Sequence, residues 1–207
     1  MVSVSVVEAV VSTGDVELAV LLPRDSEALL DEHAFEHDEF LPYWAELWPS
    51  GVALASAVSR LNVLGLRVLE LGCGLALPSI TAASRGARVL ATDWSAEAVA
   101  LAEWNARRNG ARVETAVCDW NAPDRLIAGA PWDLVLAGDV LYERRNLEPL
   151  LQLLPRLVST RGEALIADPG RPIAKEFLTA VRQGWIVEDV EGGAAAVAVY
   201  RLRPAGY

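Results

Sequence analysis

Two acidic residues and a paired glycine carry the first chemical signal in this chain. Val68-Leu69-Glu70-Leu71-Gly72-Cys73-Gly74 is an apolar run that closes on a carboxylate and a glycine turn. That combination delivers a nucleotide-like ligand to the carboxyl end of a strand. Glycine serves there because the backbone must turn sharply between strand and helix, and because no Cβ then stands between main chain and ligand. The next apolar run, Val89-Leu90-Ala91-Thr92, ends in Asp93, at the distance expected of a carboxylate that accepts hydrogen bonds from ribose hydroxyls. Cys73 reads as a small turn residue rather than a nucleophile, since nothing like a paired histidine follows it.

The elements that would hold these residues are legible as alternating periods. Val52, Leu54, Ala55, Val58 and Leu61 form a helical stripe after Pro49, and strand and helix then alternate to the end of the chain. Strands are predicted near 66–71, 88–92, 112–117, 133–138 and 163–167, with crossover helices near 77–85, 95–109, 144–158 and 172–183, each long enough for a right-handed crossover. Trp185–Val190 and Ala195–Tyr200, separated by Glu191-Gly192-Gly193, read as a closing antiparallel hairpin. At the other end, Val2–Val6 and Val16–Val20 flank Ser12-Thr13-Gly14-Asp15 and predict a β-hairpin extension. The expected fold is therefore α/β: a Rossmann-like, doubly wound seven-stranded sheet, mostly parallel, with a C-terminal antiparallel hairpin. Residues 1–40 are read as the hairpin and an acidic lead-in, and residues 41–207 as the main domain.

A chain of 207 residues with 53% hydrophobic content buries roughly 70% of its unfolded surface. The two cysteines, Cys73 and Cys118, lie at predicted strand ends rather than in a disulfide framework. With no secretory or membrane-spanning run, a reducing cytoplasm is the expectation. A net charge of −10 and the lack of an arginine stripe argue against nucleic acid as a partner. His33 and His37 lie in the acidic run Asp31–Glu39 without the partners or spacing of a zinc site, so no metal is expected.

In order along the chain, Glu70-Leu71-Gly72-Cys73-Gly74, Asp93, Cys118-Asp119-Trp120, Ala137-Gly138-Asp139-Val140-Leu141-Tyr142 and the terminal hairpin resemble the class I S-adenosylmethionine-dependent methyltransferases, over residues 41 to 202. Tyr43-Trp44-Ala45-Glu46-Leu47-Trp48-Pro49-Ser50-Gly51, the Asp-Trp pair and the Asp-Val-Leu-Tyr segment are similar to the seven-strand protein-lysine methyltransferase group. Asp168-Pro169-Gly170-Arg171 is also similar to what bacterial members carry. One departure is Ala76, where the superfamily often has a third glycine.

The resemblance implies that Gly72 and Gly74 pass the backbone under the methionine part of the cofactor, with Glu70 organising the turn near its amino group. It implies further that Asp93 takes the ribose hydroxyls, Trp94 covers one adenine face, Asp119 and Trp120 meet the adenine amino group and ring, and Trp48 closes the other side. Gly138 belongs to the same cofactor-binding set. A strand-end carboxylate can instead cap a helix, and a tryptophan can instead be core.

For methyl transfer to nitrogen, the acceptor must be held as a neutral amine, which desolvation and positioned acceptors favour. Asp139 and Tyr142, after the fourth core strand and beside the glycine turn, are the candidate catalytic residues: a carboxylate to orient the amine and an aromatic wall to accommodate cationic character. The expected acceptor is a protein lysine side chain. A small-molecule amine or pyridine nitrogen, of nicotinamide type, is the alternative. A dinucleotide-dependent oxidoreductase is disfavoured by Leu77, where that fingerprint wants glycine, and a silent interaction module by the retained glycines and carboxylates. The acidic run Asp31–Glu39 is expected to flank the cleft and attract a basic acceptor surface.

Overall fold

The structure, a computed structural model, describes residues 5–24, 43–190 and 196–206. Strands β1 (Val6–Thr13) and β2 (Val16–Pro23) pair antiparallel as a separate two-stranded sheet. The chain then runs through α1 (Pro49–Ser59), β3 (Arg67–Leu71), α2 (Leu77–Ser84), β4 (Arg88–Asp93), α3 (Ala96–Arg108) and β5 (Val113–Val117). It continues through α4 (Asp124–Ala128), β6 (Trp132–Gly138), α5 (Leu147–Leu157), β7 (Val158–Asp168), α6 (Pro172–Val181), β8 (Trp185–Asp189) and β9 (Ala198–Pro204). The main sheet has the order β5-β4-β3-β6-β7-β9-β8. Strand β9 is antiparallel to both neighbours, while β3, β4, β5, β6 and β7 pair in parallel.

Pro49, Pro78 and Pro172 sit in the first turns of α1, α2 and α6, where a fixed φ suits the helix and the missing N–H costs nothing. The Ser95 hydroxyl caps α3 by accepting from Ala98 N at 3.1 Å. Side chains of the central strands alternate between two cores. Leu69, Leu71, Val135, Ala137 and Ile166 face α5 and α6, whereas Val68, Leu134, Leu136 and Leu165 face α1. Burial on both faces explains why these strands read as continuous apolar runs.

Three local features depart from the expected elements. The helix expected over 144–158 is a 3-10 turn at Arg144–Asn146 followed by α5. Strand β7 begins at Val158, because the polar residues 159–162 form an irregularity in the ladder, where pairing shifts register between Trp132 and Leu134, rather than a turn. The five-residue α4, held by the buried Leu126, is too short to leave a periodic signal. At the N-terminus the first strand is Val6–Thr13; residues 2–4, the acidic run 31–39 with both histidines, and the turn 191–193 lie outside the described residues.

The chain lays down β3, β4 and β5 outward in one direction and then returns to place β6 and β7 on the other side of β3. Strand order therefore reverses between β3 and β6, and loops at their carboxyl ends diverge to leave a crevice. All the site residues discussed below lie at that end.

The N-terminal hairpin packs Val11, Leu18 and Val20 into a third core with Ala55 of α1, Ile80 of α2, and Ala102 and Ala106 of α3. Its outer edge is closed by Asn105 of α3 and Asn109 at the C-cap of that helix. Asn105 Oδ1 accepts from Leu21 N at 2.7 Å and its Nδ2 donates to Leu21 O at 3.1 Å and Leu75 O at 3.3 Å. Asn109 repeats the pattern on Ala19, accepting from its N–H and donating to its carbonyl, both at 2.9 Å. Four helical residues rise about 6 Å and two strand residues about 6.6 Å, so asparagines at i and i+4 match alternate strand residues. Because Asn105 also reaches Leu75 in the glycine loop, it ties the hairpin to the crevice.

Asn105→Leu leaves the Leu21 and Leu75 groups without their partner, and should cost roughly 2–4 kcal/mol of unfolding free energy. Denaturant titration measures the loss, and hydrogen exchange should quicken first at Ala19 and Leu21. Unchanged exchange there would contradict this docking.

Candidate active site

Gly72, Gly74 and Ala76 take positive φ values of 65°, 47° and 62°, so the turn between β3 and α2 coils through the left-handed region at alternate residues. A Cβ on Gly74 would stand 3.3 Å from Trp44 O, and one on Gly72 3.0 Å from Val140 Cγ1. Side chains at either position would narrow the crevice as well as strain the turn. Ala76 accepts the same conformation with its methyl group fully buried. It fits where the superfamily often has glycine, at a backbone strain of roughly 1 kcal/mol.

Asp93, at the end of β4, locks this turn. It is 4% exposed, and its carboxylate accepts from Gly74 N at 3.0 Å and Ser95 N at 3.1 Å. Burial raises its pKa, while backbone bonds from Gly74, Ser95 and Trp94 oppose the rise. Three backbone donors on about four lone-pair sites leave Asp93 one for a ligand hydroxyl. Glu70 is deeper. Its Oε2 accepts from Ser79 N at 3.0 Å and from the Ser79 hydroxyl, so it secures the first turn of α2. Burial, with a smaller contribution from Asp93, pushes the Glu70 carboxyl up to about 8. The thiol of Cys73 is likewise buried and pushed up, the behaviour of an inert turn residue.

Around these groups opens a cavity of about 410 Å³. All eleven residues singled out from the sequence line it: Trp48, Glu70, Gly72, Gly74, Asp93 and Trp94 on one side, with Asp119, Trp120, Gly138, Asp139 and Tyr142 completing the wall. Asp119 is exposed and its Oδ1 accepts from Asn121 N and Nδ2 at 2.8 and 3.0 Å, forming a turn after β5. Trp94 is 40% exposed and lines the cavity. Gly138 has ordinary φ; a Cβ there would meet Leu54 Cδ2 at 3.4 Å.

Among the lining residues that sequence reasoning did not assign to the site are Tyr43 and Arg171. The Tyr43 ring lies 5.0 Å from that of Tyr142 and 6.3 Å from that of Trp48, and the Tyr43 carbonyl accepts from Trp48 Nε1 at 2.6 Å. An aromatic wall thus runs from the glycine turn to the end of β6. Burial, with Glu143 and Asp93 adding to it, pushes the Tyr142 phenol up to about 12, so it stays protonated at physiological pH. Asp139 follows β6 with φ 60°, its N–H bonded to Ala167 O at 2.9 Å, and its carboxylate pairs with Arg171. The Asp168-Pro169-Gly170-Arg171 turn was visible in the sequence, but its closeness to Asp139 depends on β6 and β7 being neighbours.

Residues 37–183 match the model of a family described as lysine methyltransferase. The chain belongs to this lysine methyltransferase family. Among relatives, it is 37% identical to the electron transfer flavoprotein beta subunit lysine methyltransferase of Danio rerio, over 63% of this chain and 51% of that protein. It is 33% identical to the Xenopus laevis protein of the same name, over 77% of this chain and 64% of that one. The chain therefore spans about half to two thirds of the length of these relatives. A solved Thermus thermophilus 16S rRNA N2 G1207 methyltransferase, in complex with AdoMet and guanosine, shares the fold with a TM-score of 0.69 at 14% identity, over 98% of this chain and 51% of that chain. Among the described residues no three His, Cys, Asp or Glu side chains are placed to hold a metal ion, and no helix is long and apolar enough to cross a membrane.

The raised pKa of the buried Glu70 gives stability a pH dependence. The folded chain holds a proton on Glu70 that the unfolded chain releases above about 4.5, so its contribution to stability is lost as pH rises from about 4.5 to about 8. Glu70→Gln removes that titration and should gain on the parent, by on the order of a few kcal/mol, across the same window. Denaturation at pH 5 and pH 8 checks it; a pH-independent difference would contradict a protonated Glu70.

Proposed function

We propose that this protein is an S-adenosylmethionine-dependent methyltransferase that methylates a protein lysine side chain. The observation that carries the reading is the single cavity that joins the glycine turn and Asp93 to Asp139 and Tyr142. The crevice fits the cofactor: the turn leaves room that any Cβ on Gly72 or Gly74 would take, and Asp93 offers a free lone pair at a strand end. Gly72, Gly74, Glu70 and Gly138 would hold its methionine end, Asp93 its ribose, and Trp48, Trp94, Asp119 and Trp120 its adenine. When bound, the cofactor supplies a methyl group already activated as a sulfonium, which leaves as a neutral thioether while the acceptor nitrogen takes the methyl with its lone pair.

The protein's own task is then placement, worth up to roughly 7–11 kcal/mol for ideal alignment. Asp139 accepts a hydrogen bond from the amine and fixes its direction. The Tyr43–Tyr142 wall excludes water and stabilises cationic character by its ring faces. The amine releases its proton to water at the mouth, because the Tyr142 phenol, at about 12, is no base at pH 7. The family match and the relatives named for protein lysine methylation support a protein acceptor over a small amine or a nucleic acid; the beta subunit of electron transfer flavoprotein is the first to try. Two free, buried cysteines support a reducing compartment, the cytoplasm, as the setting. The acidic run Asp31–Glu39 remains our candidate for attracting a basic acceptor surface.

The two halves of the cavity should separate under mutation. Asp93→Asn removes one charge-assisted acceptor and should weaken S-adenosylhomocysteine binding about tenfold to a hundredfold by calorimetry. Asp139→Asn should leave that affinity within a few-fold while lowering turnover. Equal losses of binding in both variants would place Asp139 in the cofactor pocket instead. The acceptor class is read by incubating labelled cofactor with host lysate: label recovered as methyllysine after hydrolysis of the protein fraction supports the reading, and label confined to small molecules overturns it.

A further inference from the structure

Asp139 and Arg171 line the acceptor end of the cavity, and the buried Asp168 stands in contact with Arg171. Arg171 Nη1 pairs with Asp139 and lies 3.2 Å from Asp168 Oδ2. Asp168 is 1% exposed and its Oδ1 accepts from Gly170 N and Arg171 N, both at 2.7 Å. One buried carboxylate thus fixes both the backbone and the tip of Arg171, and Arg171 in turn fixes Asp139.

A lone carboxylate would bind an ammonium well and serve it badly. An opposite charge in contact favours the charged form, by 1–3 pKa units, and a protonated amine has no lone pair to donate. We propose that Arg171 is a positioning residue that offsets the Asp139 charge, so that the carboxylate orients the acceptor amine without holding it protonated. Arginine suits the task because its guanidinium stays charged at any working pH and its donors reach two carboxylates at once. The inference rests on the lysine-methylation reading above.

Other charged groups face the same space and are left unaltered by a change at Arg171. Glu70 and Asp93 lie at the glycine turn, Asp119 follows β5, and Glu46, Arg145, Tyr43 and Tyr142 line the same cavity. Arg145 pairs with Glu143, so it does not replace Arg171 at Asp139.

The test compares the full-length parent, R171Q and R171K, using labelled S-adenosylmethionine and host lysate as the acceptor pool, with methyllysine counted after hydrolysis from pH 6.5 to 10. In R171Q the rise of rate with pH should move up by about one unit, so that the rate at pH 7 falls about tenfold while the rates converge at high pH. R171K should restore most of the parent profile, and all three should bind S-adenosylhomocysteine within twofold. The double variant D168N/R171Q removes the carboxylate that R171Q leaves unpaired, and should show the same shift if R171Q itself does not fold. A uniform loss at every pH, or an unshifted profile, would overturn the role of Arg171 while methyllysine in the parent still upholds the function. A parent that yields no methyllysine overturns the function as well.

Discussion

The carboxylate of Asp93 is the contact on which the architecture of the site depends. It stands at the end of β4, takes the N–H of Gly74 from the turn after β3, and takes the N–H of Ser95 at the cap of α3. Three elements are thereby fixed to one buried charge, and its desolvation is offset by those donors. Cys73 N bonded to Thr92 O at 2.9 Å, and Cys118 N bonded to Asp93 O at 2.8 Å, extend the link to β5. The glycine turn can hold its left-handed course because its partners are already immobile.

Charge in the cavity is arranged by depth. Glu70, buried behind the turn with its carboxyl at about 8, is a proton-bearing group that secures α2. Asp93 lies above it with both oxygens engaged by backbone donors. Asp139 and Arg171 occupy the far end, beyond β6. Carboxylates thus line the cavity from the glycine turn to the end of β6. Tyr43, Tyr142 and Trp48 add aromatic surface to the same cavity without adding charge.

Much of this was legible in the sequence, for identifiable reasons. Gly72, Gly74 and Asp93 are dictated by local backbone geometry at strand ends, so residue type and spacing suffice to find them. The parallel strands betray themselves as continuous apolar runs because both faces are buried. The Asn105 and Asn109 clamp was not legible, since its partners Leu21 and Ala19 lie 84 and 90 residues away and asparagine on a helix ordinarily signals nothing. The pairing of Arg171 with Asp139 needed the β6–β7 register, in which Gly138 stands opposite Ala167. Glu70 was read as organising the turn, but its bond to Ser79 and its retained proton follow from burial, which only the fold defines.

We propose that the crevice between β3 and β6 is built for S-adenosylmethionine. The most direct test is a calorimetric and thermal-shift titration of the purified protein with S-adenosylhomocysteine, run beside NAD. Saturable one-to-one binding of S-adenosylhomocysteine with a rise in melting temperature, and none with NAD, is the predicted result. Binding of NAD alone, or of neither ligand, would contradict it.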